Sequence, residues 1–438
     1  MARQKHSKVT CVAFVIAAFV VTASVSWAAP KGKEYKFKGA ISTTGYGPSG
    51  LVGDGAGNFY GTTTYGGNDD CFPLNPCGTV YKISLGQDGS WNASIIYAFK
   101  GGTDGANPNA SARLALDSVG NLYGTTFYGG AANAGTVFQL APNPDGSWIE
   151  TIIYSFKGGL AGGYSISGVI LDSVGNLYGT TNGGTCNSFN ACGGTVFELS
   201  PTEGGTWTQT TLYALPVGQN QGQSSQPGPV IFDAIGNLYG TTIFGGTGEW
   251  GTVFQLIPNQ DGSWTENTLY NFTDGLDGGY PSGGVTIDNF GNLYGEAQQG
   301  GSFACPESGC GTLYKLSPQS GSNWQFSVVH VFNGLDGSKG NQPSGGLSID
   351  AAGNLYGTTS VGGDLACFGF GDGCGTVFTL KGGATFAILA AFDGTHGAYS
   401  QTGVFVDQQE NLYGTTEDGG DLNCHAPYGC GVVFELTP

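Results

Sequence analysis

The stretch that decides the fold runs from Ser167 to Leu215. It reads Ser167-Gly-Val-Ile-Leu-Asp172, then Ser173-Val-Gly-Asn176, then Leu177-Tyr-Gly-Thr-Thr181. A loop holding Cys186 and Cys192 follows. Gly194-Thr-Val-Phe-Glu-Leu-Ser200 is the next apolar run, Pro201 to Gly205 turns, and Trp207 to Leu215 closes the unit. Each run is short, rich in Val, Ile, Thr, Tyr and Phe, and bounded by Gly, Pro, Asn or Asp. That pattern reads as a β-strand. No 3.6-residue apolar period, the mark of an amphipathic helix, breaks into it. The unit is four short strands.

The unit recurs along the chain. Asn-Leu-Tyr-Gly, once with Phe for Leu, begins at Asn58, Asn121, Asn176, Asn237, Asn292, Asn354 and Asn411, at spacings of 55 to 63 residues. Self-similarity at such a period marks a repeat architecture. A lone four-stranded sheet with two apolar faces has nothing to bury them; two flanking sheets supply the cover. Seven such units predict an all-β, seven-bladed β-propeller with four-stranded blades, over an open stack of β repeats. The seventh unit stops after its third strand, Val432-Val-Phe-Glu-Leu436. Tyr35-Lys-Phe-Lys-Gly39 near the N-terminus matches the fourth strands Tyr97-Ala-Phe-Lys-Gly101 and Tyr154-Ser-Phe-Lys-Gly158. The N-terminal strand is therefore expected to complete the last blade and remove the open sheet edges.

Composition agrees with this. Of 438 residues 81 are Gly, and only 11% are charged, too few for a disordered polyelectrolyte or a helical protein. Arg3, Lys5 and Lys8 precede an apolar run from Val9 to Val25 and a small-x-small site at Ser26-Trp27-Ala28. Residues 1–28 read as a secretory signal peptide, leaving 29–438 as one propeller domain. Cleavage removes three cations and no acid, taking the net charge from −18 to −21. Such an acidic chain is a poor partner for nucleic acid or anionic membranes. No later segment is apolar enough to span a bilayer. A freely secreted monomer, extracellular or periplasmic, is the expectation.

Turn and loop residues follow the repeat. Asp-x-x-Gly-Asn recurs from Asp54, Asp117, Asp172, Asp233, Asp288 and Asp350. Asp accepts from nearby amides and Gly takes positive φ without steric cost. The seventh copy has Glu410 where Gly is expected, so strain is expected there. Cys11 lies in the signal peptide. The other ten cysteines lie in the loops between second and third strands, as Cys71/Cys77, Cys186/Cys192, Cys305/Cys310, Cys367/Cys374 and Cys424/Cys430. Units two and four lack both members together, which favours pairing within each loop. A secreted chain supplies the oxidising setting, and each bridge over so short a loop is worth roughly 2 kcal/mol.

Gly-Asn-Leu-Tyr-Gly-Thr-Thr, then Gly-Gly, then Gly-Thr-Val-Phe is similar to the repeat of bacterial choice-of-anchor tandem repeat GloVer-containing proteins. The resemblance covers roughly residues 34–438 and recurs seven times. Asp-x-x-Gly-Asn-Leu-Tyr also looks like the first hairpin of NHL-type propellers. The resemblance implies an exported repeat protein and no particular activity.

The face carrying the second-to-third-strand and blade-to-blade loops is long and variable, so binding is expected there. Tyr46, Tyr164, Tyr280 and Tyr399 each stand five residues before the first apolar residue of an inner strand, in units one, three, five and seven. Their rings would stack on sugars, or pack beneath the neighbouring loop. Trp250 is the one Trp after residue 28 outside the fourth-strand turn, a candidate anchor or a local packing residue. Glu296 replaces a repeated Thr and is the candidate catalytic acid or base. His396 and His425, near Asp393, Asp418 and Asp421, would suit a divalent cation. The loop acids Asp104, Asp274, Asp277, Asp336 and Asp393 would suit calcium. No catalytic triad, P-loop or dinucleotide fingerprint stands out. The reading is a non-catalytic module for an extracellular polysaccharide or protein ligand, with no cofactor unless calcium. A calcium-assisted hydrolase, lactonase or lyase at the channel mouth, and a protein–protein scaffold, are the alternatives.

Overall fold

A computed structural model gives the fold and describes residues 32–38, 45–67, 77–108, 113–159, 162–165, 167–183, 193–216, 226–302, 309–321, 323–333, 340–367 and 372–437. The segment 1–28 and the loop positions Cys71, Cys186, Cys192, Cys305 and Asp336 lie outside the described residues. Seven antiparallel sheets succeed one another along the chain. In the third, the strands are Val169–Leu171, Leu177–Thr181, Thr195–Pro201 and Trp207–Ala214, the four runs of the repeat. In the first two blades the innermost strand is split, as Tyr46–Pro48 with Val52–Gly53 and Ala106–Pro108 with Ala115–Leu116. The molecule is a seven-bladed β-propeller.

Each letter of the repeated motif has a local cause. In blade three Asp172 Oδ1 accepts from the amides of Val174 and Asn176, at 2.9 Å each, and Asn176 Nδ2 donates to Oδ2 at 2.8 Å. The Tyr178 hydroxyl donates to the same Oδ2 at 3.3 Å. Leu177 is fully buried. A Cβ on Gly179 would lie 2.7 Å from the ring of Phe197, so the position admits only glycine while that ring stays in place. The seventh turn keeps this geometry around Asp407, which accepts from the amides of Gln409 and Asn411 at 2.9 and 2.8 Å. The strain expected at Glu410 takes the form of a φ of 64°.

Packing is between blades rather than within them. Each of the seven core clusters spans one seam. The seam between blades seven and one gathers Tyr413, Cys430 and Val433 with Leu51, Phe59, Tyr81 and Ile83. Phe37, 1% exposed, sits in that cluster. The N-terminal strand Glu34–Lys36 pairs antiparallel with Val432–Leu436, Tyr35 opposite Val433, and supplies the missing fourth strand. The Phe37 amide donates to the Gly431 carbonyl at 3.2 Å, as Phe99 does to Gly78 and Phe156 to Gly135 at 3.1 and 3.0 Å. The first strand thus repeats a fourth strand in packing and in hydrogen bonding.

Truncation of Phe37 to Ala is expected to cost about 3–5 kcal/mol in urea unfolding, the usual loss for a buried Phe. A cost under ~1 kcal/mol would mean that the N-terminal strand does not hold the ring shut. Glu410→Gly is expected to gain up to about 1 kcal/mol by relieving the left-handed backbone; a loss in the same assay would contradict strain at that turn.

Candidate functional site

The loop face is built on a latch that recurs at the seams. Tyr164, Tyr280 and Tyr399 have φ of 55°, 56° and 54°. Their amides donate to the carbonyls of Ala134, Trp250 and Cys374 in the preceding blade, at 2.7, 2.9 and 2.9 Å. Asn107 and Gln342 take the same position, bonded to Cys77 and Cys310 at 2.8 and 3.0 Å. Tyr46 is one residue out of this register. Pro48 lies opposite Thr63 as Pro108 lies opposite Thr126 and Pro343 opposite Thr359. Gly47, with φ of 67°, therefore holds the latch position in blade one. The segment up to Leu51 is shorter there, so equal spacing from the inner strand misaligned Tyr46.

The rings differ in what they face. Tyr164 is 37% exposed and lies against Phe127 and Tyr128, at 5.4 and 6.3 Å between centroids. Tyr280 meets Phe244 and Trp250 edge-on at 5.2 and 5.3 Å. Trp250 precedes Gly251-Thr252 as Cys77 precedes Gly78-Thr79 and Cys374 precedes Gly375-Thr376. It fills, in a blade without the cysteine pair, the place that the second cysteine fills elsewhere. Cys367–Cys374 and Cys424–Cys430 are disulfides, and Cys77 and Cys310 are disulfide-bonded too.

One seam gathers polar chemistry. Tyr46 stacks on Tyr65 and on His425, each at 4.8 Å, and Tyr428 lies 6.3 Å from His425. Glu417 and Asp418 follow the second strand of blade seven beside these rings. Gln401 donates to Glu417, and the Glu417 amide donates to the Tyr399 carbonyl at 3.2 Å. Burial raises the Glu417 carboxyl above its ordinary range. Burial first, and the adjacent Glu417 second, push Asp418 up to about 7. Glu417 in turn acts on Tyr65, and Asp418 on Tyr399, whose hydroxyls are raised chiefly by burial. Blades seven and one thus bring two adjacent carboxyls, three tyrosines and a histidine together, with Tyr399 of the seam of blades six and seven beside Asp418. Sequence reading did not single out Glu417 or Tyr65. The signal was present: Glu417-Asp418 stand where the other units have Thr64-Tyr65, Phe127-Tyr128, Asn182-Gly183, Ile243-Phe244, Gln298-Gln299 and Ser360-Val361, with no acid among them.

The remaining candidates lie apart from that seam. His396 Nδ1 and Asp393 Oδ2 are 2.8 Å apart within one turn. Asp277 accepts from the Tyr270 hydroxyl and the Thr273 amide, at 3.0 Å each. Among the described residues no group of three or more His, Cys, Asp or Glu is placed to share a metal ion. Glu296 is fully buried at the seam of blades five and six. Its neighbours in the repeat are threonines whose hydroxyls donate to the next blade, such as Thr125 to Ser167 at 2.9 Å and Thr358 to Thr402 at 3.0 Å. Glu296 reverses the polarity: Oε1 accepts from the Gly346 amide at 2.7 Å, and Oε2 has no partner among the described residues.

Burial pushes the Glu296 carboxyl up to about 7. The raised value means that the folded state holds the proton. Its stabilising share is full below the ordinary glutamate range and is lost as pH rises through about 7. Glu296→Gln keeps the acceptor and cannot titrate. Wild type is therefore expected to lose on the order of 3 kcal/mol relative to the variant between pH 5 and 8 in urea unfolding. Parallel pH profiles of the two proteins would refute this.

No curated protein matches the chain. A protein from Thermus thermophilus, provisionally described as an oxidoreductase (glucose dehydrogenase), has a similar solved structure. It shares 16% identity and a TM-score of 0.43 over 75% of this chain and 96% of its own. A protein of unknown function from Dyadobacter fermentans shares 11% identity and a TM-score of 0.43 over 93% of this chain and 98% of its own. The Gloeobacter/Verrucomicrobia repeat matches residues 28–215 and 183–434. With that repeat covering nearly every blade, the chain belongs to the Gloeobacter/Verrucomicrobia repeat family.

Proposed function

We propose that this propeller is an extracellular, non-catalytic recognition module that binds a polysaccharide on its loop face, over the seam of blades seven and one. The observation that carries the reading is the adjacent pair Glu417 and Asp418 set among Tyr46, Tyr65, Tyr399 and Tyr428. Sugar recognition needs an apolar ring face and acceptors for hydroxyl groups together. A carboxyl titrating near neutrality both accepts and donates there. Tyr46 acts in this reading by fixing Tyr65 and His425, since those rings already occupy its own. Tyr164, exposed on the far side of Tyr128, extends the surface along a polymer. The disulfides beside these loops hold the backbone in place and limit the entropy lost on binding. An acid pair with a raised pKa would also suit general acid–base work, the chemistry of an extracellular hydrolase or lyase.

The test is binding to a panel of bacterial and plant polysaccharides, with calcium and with chelator, before and after Glu417→Gln with Asp418→Asn. The double variant is expected to weaken binding at least tenfold with no loss of thermal stability, and Tyr164→Ala to weaken it a few-fold. Unchanged affinity in the double variant would sink this assignment. Release of reducing ends or unsaturated products by wild type, lost in the same variant, would establish the enzyme in its place.

A further inference from the structure

Beyond residue 28 this acidic chain has a single arginine, Arg113, and it lies in the central channel. Its side chain leaves blade two, passes Gly50 of blade one and ends beside Gly403 of blade seven. A Cβ on Gly50 would come within 2.7 Å of Arg113 Cγ, and one on Gly403 within 3.0 Å of Nη2. Nη2 donates at 3.0 Å to the Val404 carbonyl, which precedes the inner strand Phe405–Val406 and also accepts from the Ser348 hydroxyl. No carboxylate pairs with the guanidinium among the described residues. The cost of enclosing an unpaired cation falls most when an anion shares the enclosure.

Around Arg113 the inner strands approach so closely that glycine is required. A Cβ on Gly345 would come within 2.3 Å of the Thr402 backbone, and one on Gly283 within 2.4 Å of Gly346. From this collar the strands run toward the turn face and line a cavity of about 410 Å³. Ile170, Ile231, Ile349, Phe405 and Val406 supply its apolar surface, beside Thr286, Ser348 and the glycine backbone of the collar. The turns that follow these walls carry exposed apolar tips on four successive blades: Val119, Val174, Ile235 and Phe290, 75–86% exposed. The cavity thus has one cation and several apolar side chains among its lining residues, and the turns of blades two to five carry exposed apolar tips. The turn aspartates are each engaged by their own loop amides, as at Asp172 and Asp350. Their summed charge disfavours polyanions and leaves a monoanion as the fitting ligand.

We infer that the central channel binds an alkyl monocarboxylate, its head on Arg113 and its chain along the inner strands toward the turn face. This site is separate from the loop-face seam, and its failure leaves the polysaccharide reading untouched.

The experiment is calorimetric titration of the mature protein with butanoate, hexanoate, octanoate and decanoate. Octanamide, and sodium sulfate at matched ionic strength, are the controls. Octanoate is expected to bind saturably, at least tenfold more tightly than octanamide, with affinity rising up to roughly fourfold per methylene. Sulfate is expected to give no comparable heat. Arg113→Gln is expected to lose at least tenfold in octanoate affinity while polysaccharide binding is unchanged. Equal binding of octanoate and octanamide by wild type, or no binding of either, overturns the inference even if Arg113→Gln fails to fold. So does undiminished octanoate binding by a folded Arg113→Gln.

Discussion

A four-stranded sheet that is apolar on both faces has no stable state alone, and the seams between such sheets are where this molecule gains its stability. Burial of apolar area scales with the surface removed from water. Here that surface is shared by neighbours, one cluster to a seam. A row of blades would leave two faces bare. The strand around Tyr35 and Phe37 converts the row into a ring by supplying the outer strand of blade seven and a plug for its seam with blade one. Glycine in the repeated motif, the aromatic ring lying over it and the buried Leu beside it all serve that packing.

The same constraint explains where variation is tolerated. At each latch the backbone conformation and the hydrogen bond to the preceding blade are kept, while the side chain changes from Asn107 to Tyr164 to Gln342. The main chain carries the structural requirement there, so the side chain is free to serve a surface. Blade seven uses that freedom most. Its unusual residues Glu417 and His425 meet Tyr65 and Tyr46 of blade one across the closing seam, with Asp418 beside Glu417. The ring's two chain ends and its most polar seam coincide.

Much of this was legible in the chain. The four runs of Ser167–Leu215 are the four strands of blade three, and Tyr35-Lys-Phe-Lys-Gly39 is the closing strand. Cys367 with Cys374 and Cys424 with Cys430 pair within their loops. These features depend on residues near one another in sequence or repeated seven times, and repetition averages out local ambiguity. The site was less legible. Equal spacing set Tyr46 beside Tyr164, whereas the pairing of Pro48 with Thr63 puts Gly47 there. Trp250 was open between an anchor and a local packing residue; it stands in a cysteine's place and packs on Tyr280. Glu296 looked like a strand-end acid, yet it is a clasp buried between two blades.

By itself the sequence determined the strand content, the number of blades, the closing strand and the pairing of Cys367 with Cys374 and of Cys424 with Cys430. Each follows from short-range chemistry: alternation, turn residues and loop length. Only the tertiary structure decided which exceptional residues meet. Tyr46 and His425 are far apart along the chain and in contact because the ring closes between them. Arg113 and Val404 come from blades two and seven and touch because the inner strands converge on one axis. Closure sets those distances, and a repeat read one unit at a time carries no information about them.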